Sequence, residues 1–206
     1  MKVLAIVNQK GGPGKTTLAV HLSVAAAATG LTTALIDLDP QASATKWADK
    51  RQKDSPVVIS AHSTRLPQVL ETAEKNGVEL CILDTAPTIE KPAKDACKAA
   101  DMAIIPCKPE IFDLEAMGST VEIAHAANVR ACVVFNAVRP RSSTLIQAKK
   151  AIQIYNVPSA PCIIGDRVAF SHALIDGRTA QEYEPTGKAS REIQALYRYI
   201  AKEMEI

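Results

Sequence analysis

The sequence predicts an α/β fold of three layers, a mostly parallel central sheet with helices on both faces. Three observations carry this expectation. Short, near-continuous apolar runs alternate with longer helical patterns along the chain, as strands buried on both faces alternate with covering helices. A glycine-rich turn joins the first apolar run to the first helical pattern. Acidic residues close two further runs, and ligands in such sheets bind beyond the C-terminal strand ends.

The runs Val3–Val7, Thr33–Ile36, Val57–Ile59, Leu80–Leu83, Met102–Ile105, Ala131–Phe135 and Cys162–Ile164 read as strands. Helices are expected near 15–29, 42–53, 65–76, 90–99, 114–127, 143–155 and 187–204. No repeat, low-complexity stretch or linker interrupts the series, so one domain spanning residues 1–206 is expected. A chain of 206 residues buries enough surface to need no staples. Apolar residues make up 47% and aromatic residues 4%, which calls for a core of small and branched aliphatics.

Five scattered cysteines without a C-x-x-C pair argue for reduced thiols in the cytosol. Cys81, Cys132 and Cys162 sit in or beside apolar runs and read as small core residues. Lys10 and Lys15 interrupt the N-terminal run too early for a secretory leader. No apolar run approaches the ~20 residues of a membrane span. From Arg139 onward the chain holds ten Lys/Arg against seven Asp/Glu, and before it fourteen against fifteen. The C-terminal third is the more basic part.

Between the first strand and helix lies Lys10-Gly11-Gly12-Pro13-Gly14-Lys15-Thr16-Thr17. Gly11, Gly12 and Gly14 let the backbone approach phosphate oxygens with its amides, and the helix N-terminus adds a positive dipole. Lys15 is placed to reach the β- and γ-phosphates, the Thr16 hydroxyl to ligate Mg²⁺, and Thr17 to bond the α-phosphate. Pro13 contributes no N–H, so the loop lacks that donor. A nucleotide's phosphates and Mg²⁺ are the expected ligands. The loop departs from the ordinary pattern by a second lysine, Lys10, with Gln9 in the first glycine position.

Two further segments end in carboxylates. Cys81-Ile82-Leu83-Asp84 is an apolar strand closing on an acid, the form that holds a Mg²⁺-bound water. Leu35-Ile36-Asp37-Leu38-Asp39-Pro40-Gln41 places two carboxylates at i and i+2, which point the same way on a strand. Hydrolysis of a γ-phosphate needs a group that orients water and support for the metal. An Asp-Pro turn in solvent is the alternative for the second segment.

KGGPGKTT resembles the deviant Walker A motif of the ParA/MinD superfamily of P-loop ATPases, and the chain is most similar to small ParA-type partition proteins. The resemblance implies a P-loop NTPase fold, ATP as the nucleotide, and an ATP-dependent homodimer in which Lys10 reaches the partner subunit's nucleotide. It implies that Lys10, Lys15 and Asp39 act in hydrolysis, Asp39 by orienting water, with Asp37 supporting the metal. Thr85 through Lys91 becomes a candidate switch segment. Ile104 through Glu115 resembles a stretch bordering the dimer interface, and Asp113 reads there as a helix N-cap. Asn136, at a strand end, can both donate to and accept from an adenine edge, as the family places an Asn, or else form a turn. Arg139 and Arg141 suit nucleotide, DNA or a solvated loop equally.

In the last helix Ile193, Leu196, Tyr197, Ile200 and Met204 share one face, with Lys188, Arg191, Arg198 and Lys202 opposite. The stripe reads as a solvated face or as a phosphate-backbone contact. Resemblance favours non-specific DNA binding, with Arg167 and Arg178 as further candidates.

The leading expectation is a weak ATPase, stimulated by a ParB-type centromere-binding or cargo adaptor protein. It would segregate plasmid or chromosome cargo from the cytoplasm and nucleoid. A membrane-cycling MinD-like ATPase, a ParA-like positioner of a protein assembly and a nitrogenase iron-protein relative are the alternatives. The last needs cluster-holding cysteines in glycine-rich loops, which Cys97 and Cys132 lack.

Overall fold

A computed structural model of the chain describes all residues except Thr88, Ile89, Arg141 and Ser143. The strands are β1 (Lys2–Ile6), β2 (Thr33–Asp37), β3 (Val57–Ser60), β4 (Leu80–Asp84), β5 (Met102–Cys107) and β6 (Arg130–Phe135). The helices are α1 (Lys15–Ala27), α2 (Ser43–Ala48), α3 (Leu66–Lys75), α4 (Glu90–Ala99), α5 (Ile111–Ala126), α6 (Thr144–Ala151), α7 (Val168–Leu174), α8 (Ala180–Tyr183) and α9 (Lys188–Met204). The six strands form one sheet in the order β3-β2-β4-β1-β5-β6, and every pair is parallel.

The two-residue side-chain period divides each strand between two cores. Leu4, Ile6, Leu35, Ile82, Ile104 and Val134 face the layer containing α1, α7, α8 and α9. Val3, Ala5, Ile36, Leu83, Ile105 and Phe135 face the layer of α3, α4, α5 and α6. The expected aliphatic interior is thus two interiors, one per sheet face. The α9 side chains Ile193, Leu196, Tyr197, Ile200 and Met204 are all buried in the first of them. The Tyr197 hydroxyl reaches Thr29 Oγ1, just beyond α1, at 3.1 Å.

Four sequence expectations change. Cys162–Ile164 does not form a strand; the chain there meets β6 through an isolated bridge from Val133 to Ser159 and a backbone bond from the Ile164 N–H to the Phe135 carbonyl (2.9 Å), with a second bridge from Val138 to Gly165 just past the strand. Pro158 and Pro161 lack the N–H groups a continuous ladder would use. Cys162 is correspondingly half-buried, whereas Cys81, Cys97, Cys107 and Cys132 are buried. The helix expected at 114–127 begins at Ile111 with Glu110 as its N-cap, so Asp113 lies inside the first turn rather than capping it. The helix expected at 42–53 stops at Ala48. Two short helices, α7 and α8, lie where no periodicity announced them, because four to seven residues hold too few turns to show a period. Ser143, the expected start of the sixth helix, lies outside the described residues, as do Thr88 and Ile89 of the proposed switch segment and Arg141.

Candidate nucleotide site

The sheet register assembles the site. Asp37 of β2 is level with Asp84 of β4, and Asp84 is level with Ile6 of β1. The loop after β1 therefore emerges beside both carboxylates, at the C-terminal end of a central strand. Gly12 (φ 89°) and Gly14 (φ 92°) turn this loop through left-handed conformations that other residues resist. Gly14 caps α1, and a side chain there would overlap the Asn136 amide.

The loop is tied down at several points. Asn8 Oδ1 accepts from the Lys10 N–H (2.7 Å) while its amide donates to the Pro106 carbonyl (2.7 Å). The Gln9 N–H donates to Thr120 Oγ1 of α5 (3.2 Å). Asn136 Nδ2 donates to the Pro13 carbonyl (2.6 Å). The proline that withholds a donor thus supplies an acceptor.

The two lysines are held differently. Lys15 is buried and donates to the Lys10 carbonyl (3.1 Å), across the inside of the loop. Burial pulls its pKa below the ordinary lysine value, against the opposing fields of Asp84 and Asp39. Lys10 is partly exposed and pairs with buried Asp113 of α5 at 2.7 Å.

The carboxylates also differ. Asp37 is fully committed: Oδ1 accepts from the Asp39 N–H (3.1 Å), and Oδ2 from the Thr45 N–H (2.9 Å) and hydroxyl (3.0 Å). Such an acid fits outer-shell support of a metal rather than direct ligation. Asp39 is half-buried and accepts from the Gln41 N–H at 2.9 Å. Asp84 has no exposed surface, and neither of its oxygens meets hydrogen-bond geometry with a donor among the described residues. Burial pushes its pKa up to about 7. The Thr16 hydroxyl and the Lys15 ammonium pull it down, while Asp37 and Asp39 push it further up. A buried carboxylate without a partner costs several kcal/mol if charged (roughly, by transfer arguments), and a hard divalent cation supplies the missing partner. The donor set therefore fits Mg²⁺ held near Thr16 and Asp84, with ATP phosphates on the loop amides and Lys15.

This geometry defines the chain as a P-loop nucleotide-binding protein. Residues 4–180 match the model of the CobQ/CobB/MinD/ParA nucleotide binding domain, and the chain belongs to that family. It is 32% identical, over 99% of its length and 94% of the relative's, to Maintenance of carboxysome distribution protein A from Gloeobacter kilaueensis. It is 27% identical to Protein IncC from Escherichia coli over 100% of its length and 71% of that protein's. Among solved structures, the septum site-determining protein MinD of Pyrococcus horikoshii, complexed with Mg-ADP, superposes with a TM-score of 0.83. The identity is 20%, with 98% of this chain and 96% of that one covered.

The register brings Lys15, Thr16, Asp37, Asp39 and Asp84 together, with Asn136 against the loop. Lys188, Arg191, Arg198 and Lys202 are exposed along α9. The two other cations proposed for DNA are already paired. Arg167 is held by Glu192, and Arg178 by Asp176 at 2.7 Å while stacking on Tyr183. Sequence reasoning missed Asn8, Thr45 and the pairing role of Asp113. Their partners are distant in the chain or are backbone groups, which no local pattern reports.

Proposed function

We propose that the chain is a ParA-like positioning ATPase, a single domain that dimerises on binding ATP. The observation that carries the reading is the split between the loop's lysines. Lys15 is turned inward, while Lys10 stands at the rim on Asp113. A rim lysine held by one carboxylate can exchange it for the phosphates of a second subunit's nucleotide. Asp39 orients the attacking water and Asp37 steadies the metal. Hydrolysis is slow until a ParB-type or cargo adaptor protein stimulates it.

The dimer binds DNA non-specifically through Lys188, Arg191, Arg198 and Lys202, which places it in the cytoplasm on the nucleoid. The membrane-cycling alternative has less support. The apolar face of α9 is buried against α1, and no described helix is long and apolar enough to cross a membrane. Similarity to a carboxysome distribution protein favours a protein assembly as cargo, and similarity to IncC favours DNA.

Lys10→Ala tests the central claim. It is expected to retain ATP binding within about threefold and to lose the ATP-induced dimer on size exclusion. A dimer that persists would rule out the trans role. In the same preparation, wild-type protein with ATP is expected to shift duplex DNA and to leave anionic liposomes in the supernatant; the reverse would support the membrane reading.

A further inference from the structure

Beyond the phosphate loop, a hollow of about 270 Å³ is lined by Val138, Arg139, Pro140, Leu145, Gly165 and Arg167, among others. Val138 lies two residues past Asn136, whose amide grips Pro13 of the phosphate loop. The lining of the hollow thus begins two residues beyond the side chain that clamps the phosphate loop. Its outer wall is the segment Ile164–Arg167, which belongs to no strand or helix. Three backbone bonds join that segment to the β6 side: Ile164 N–H to the Phe135 carbonyl (2.9 Å), Val138 N–H to the Ile164 carbonyl (3.0 Å) and Asp166 N–H to the Val138 carbonyl (2.9 Å).

On its other side one α9 side chain gathers the wall. Glu192 Oε2 accepts from the Gly165 N–H at 3.0 Å. Its two oxygens accept from Arg167 Nε at 2.9 and 3.0 Å, and Oε1 pairs with Arg167 Nη2. The guanidinium folds back over Gly165 so closely that a Cβ there would lie 2.9 Å from Nη2. A glycine at this position is thus part of the clamp. Bidentate, charge-assisted bonds of this kind fix geometry as well as energy.

We propose that Glu192 is a positioning residue for the nucleoside end of ATP. Acting through Arg167 and the Gly165 N–H, it holds Ile164–Arg167 as the wall against which base and ribose bind. Arg167 then belongs to the nucleotide cleft rather than to the DNA face. Its charge is already met by a carboxylate, and a DNA phosphate would have to displace that partner. The arrangement also places the wall's anchor one residue from Arg191, on the helix carrying the basic stripe. The inference rests on the ATP reading of the cleft.

Calorimetry with two ligands tests it: β,γ-imido-ATP, and tripolyphosphate, which engages the phosphate loop without a nucleoside. Glu192→Ala is expected to weaken the nucleotide about tenfold, as loss of hydrogen bonds to charged groups does, with tripolyphosphate affinity unchanged. KM for ATP should rise by a similar factor while kcat holds. Glu192→Gln retains an acceptor for the Gly165 N–H and should lose only about threefold. Arg167→Ala should match Glu192→Ala in nucleotide affinity and keep wild-type DNA affinity at saturating ATP. The proposal is overturned by unchanged nucleotide affinity in a folded Glu192→Ala protein. It also falls if both ligands weaken together, or if Arg167→Ala loses DNA with nucleotide affinity intact. Wild-type protein binding the nucleotide no tighter than tripolyphosphate would sink the ATP reading itself, and the wall with it.

Discussion

Charges are withdrawn from solvent both at the nucleotide end of the sheet and, less completely, around α8, but the two groups are treated in opposite ways. Near α8, Arg51 and Glu182 form a bidentate pair (2.8 and 2.9 Å), and Arg51 also donates to the Gly177 carbonyl and stacks on Trp47. Lys53 adds a second cation, and Glu182 closes a capping box with Thr179. Burial alone would raise the Glu182 pKa, but Arg51, Lys53 and the Thr179 N–H bring it down to about 2. At the nucleotide end Asp84 is more deeply enclosed and has no such donors, so its pKa goes up. Paired buried charge joins elements together. Unpaired buried charge is tolerated where a ligand completes it.

Asp84→Asn should give the largest effect and the sharpest test of this contrast. Steady-state ATP hydrolysis is expected to fall on the order of a thousandfold, as loss of metal-borne charge stabilisation would cause. The melting temperature of the nucleotide-free protein at pH 8 should stay level or rise, because an uncompensated buried charge is removed. A large drop in melting temperature would mean that Asp84 is structural after all.

Glu182→Ala should behave in the opposite sense. It leaves Arg51 buried without its partner, a loss of roughly 3 kcal/mol, read by urea denaturation. Affinity for Mg-ATP should change little in the fraction that remains folded. Equal loss of nucleotide binding would show that the two regions are not separable.

The smaller effect concerns His21, which stands between the regions. Its Nδ1 faces the Thr17 carbonyl (2.7 Å), and its Nε2 accepts from the Ala180 N–H (3.0 Å). That pairing requires the neutral ring, with the proton on Nδ1. Burial lowers its pKa to about 4, against smaller raising effects of the Thr17 carbonyl and Glu182. Because the folded value lies below the unfolded one, stability is complete above about pH 6.5 and is lost as pH falls toward 4. The loss amounts to about 2–3 kcal/mol for this group. His21→Gln should remove that component from the pH profile of denaturation. An unaltered slope between pH 6.5 and 4 would exclude His21 as its source.

The contrast also explains what could be read in advance. The phosphate loop, Asp37, Asp39 and Asp84 were legible because their chemistry is local. Glycines precede a lysine and a hydroxyl, and acids close apolar runs. The placement of Asp113 was not, since a helix start three residues earlier than expected turns an apparent cap into the partner of Lys10. Arg167 read as a free cation because Glu192 is 25 residues away in the chain. The Cys162–Ile164 strand failed for a local reason, the flanking prolines, that the apolar run outweighed.

By itself the sequence determined the layered fold, the phosphate loop and the acids that face it. Each depends on neighbours within a few residues, on period, turn and strand end. Only the tertiary structure decided which charges are spent. Pairing of Lys10 with Asp113, Arg51 with Glu182 and Arg167 with Glu192 joins residues far apart in the chain. Whether a buried charge meets a partner is a property of packing, and packing is not written in any one segment.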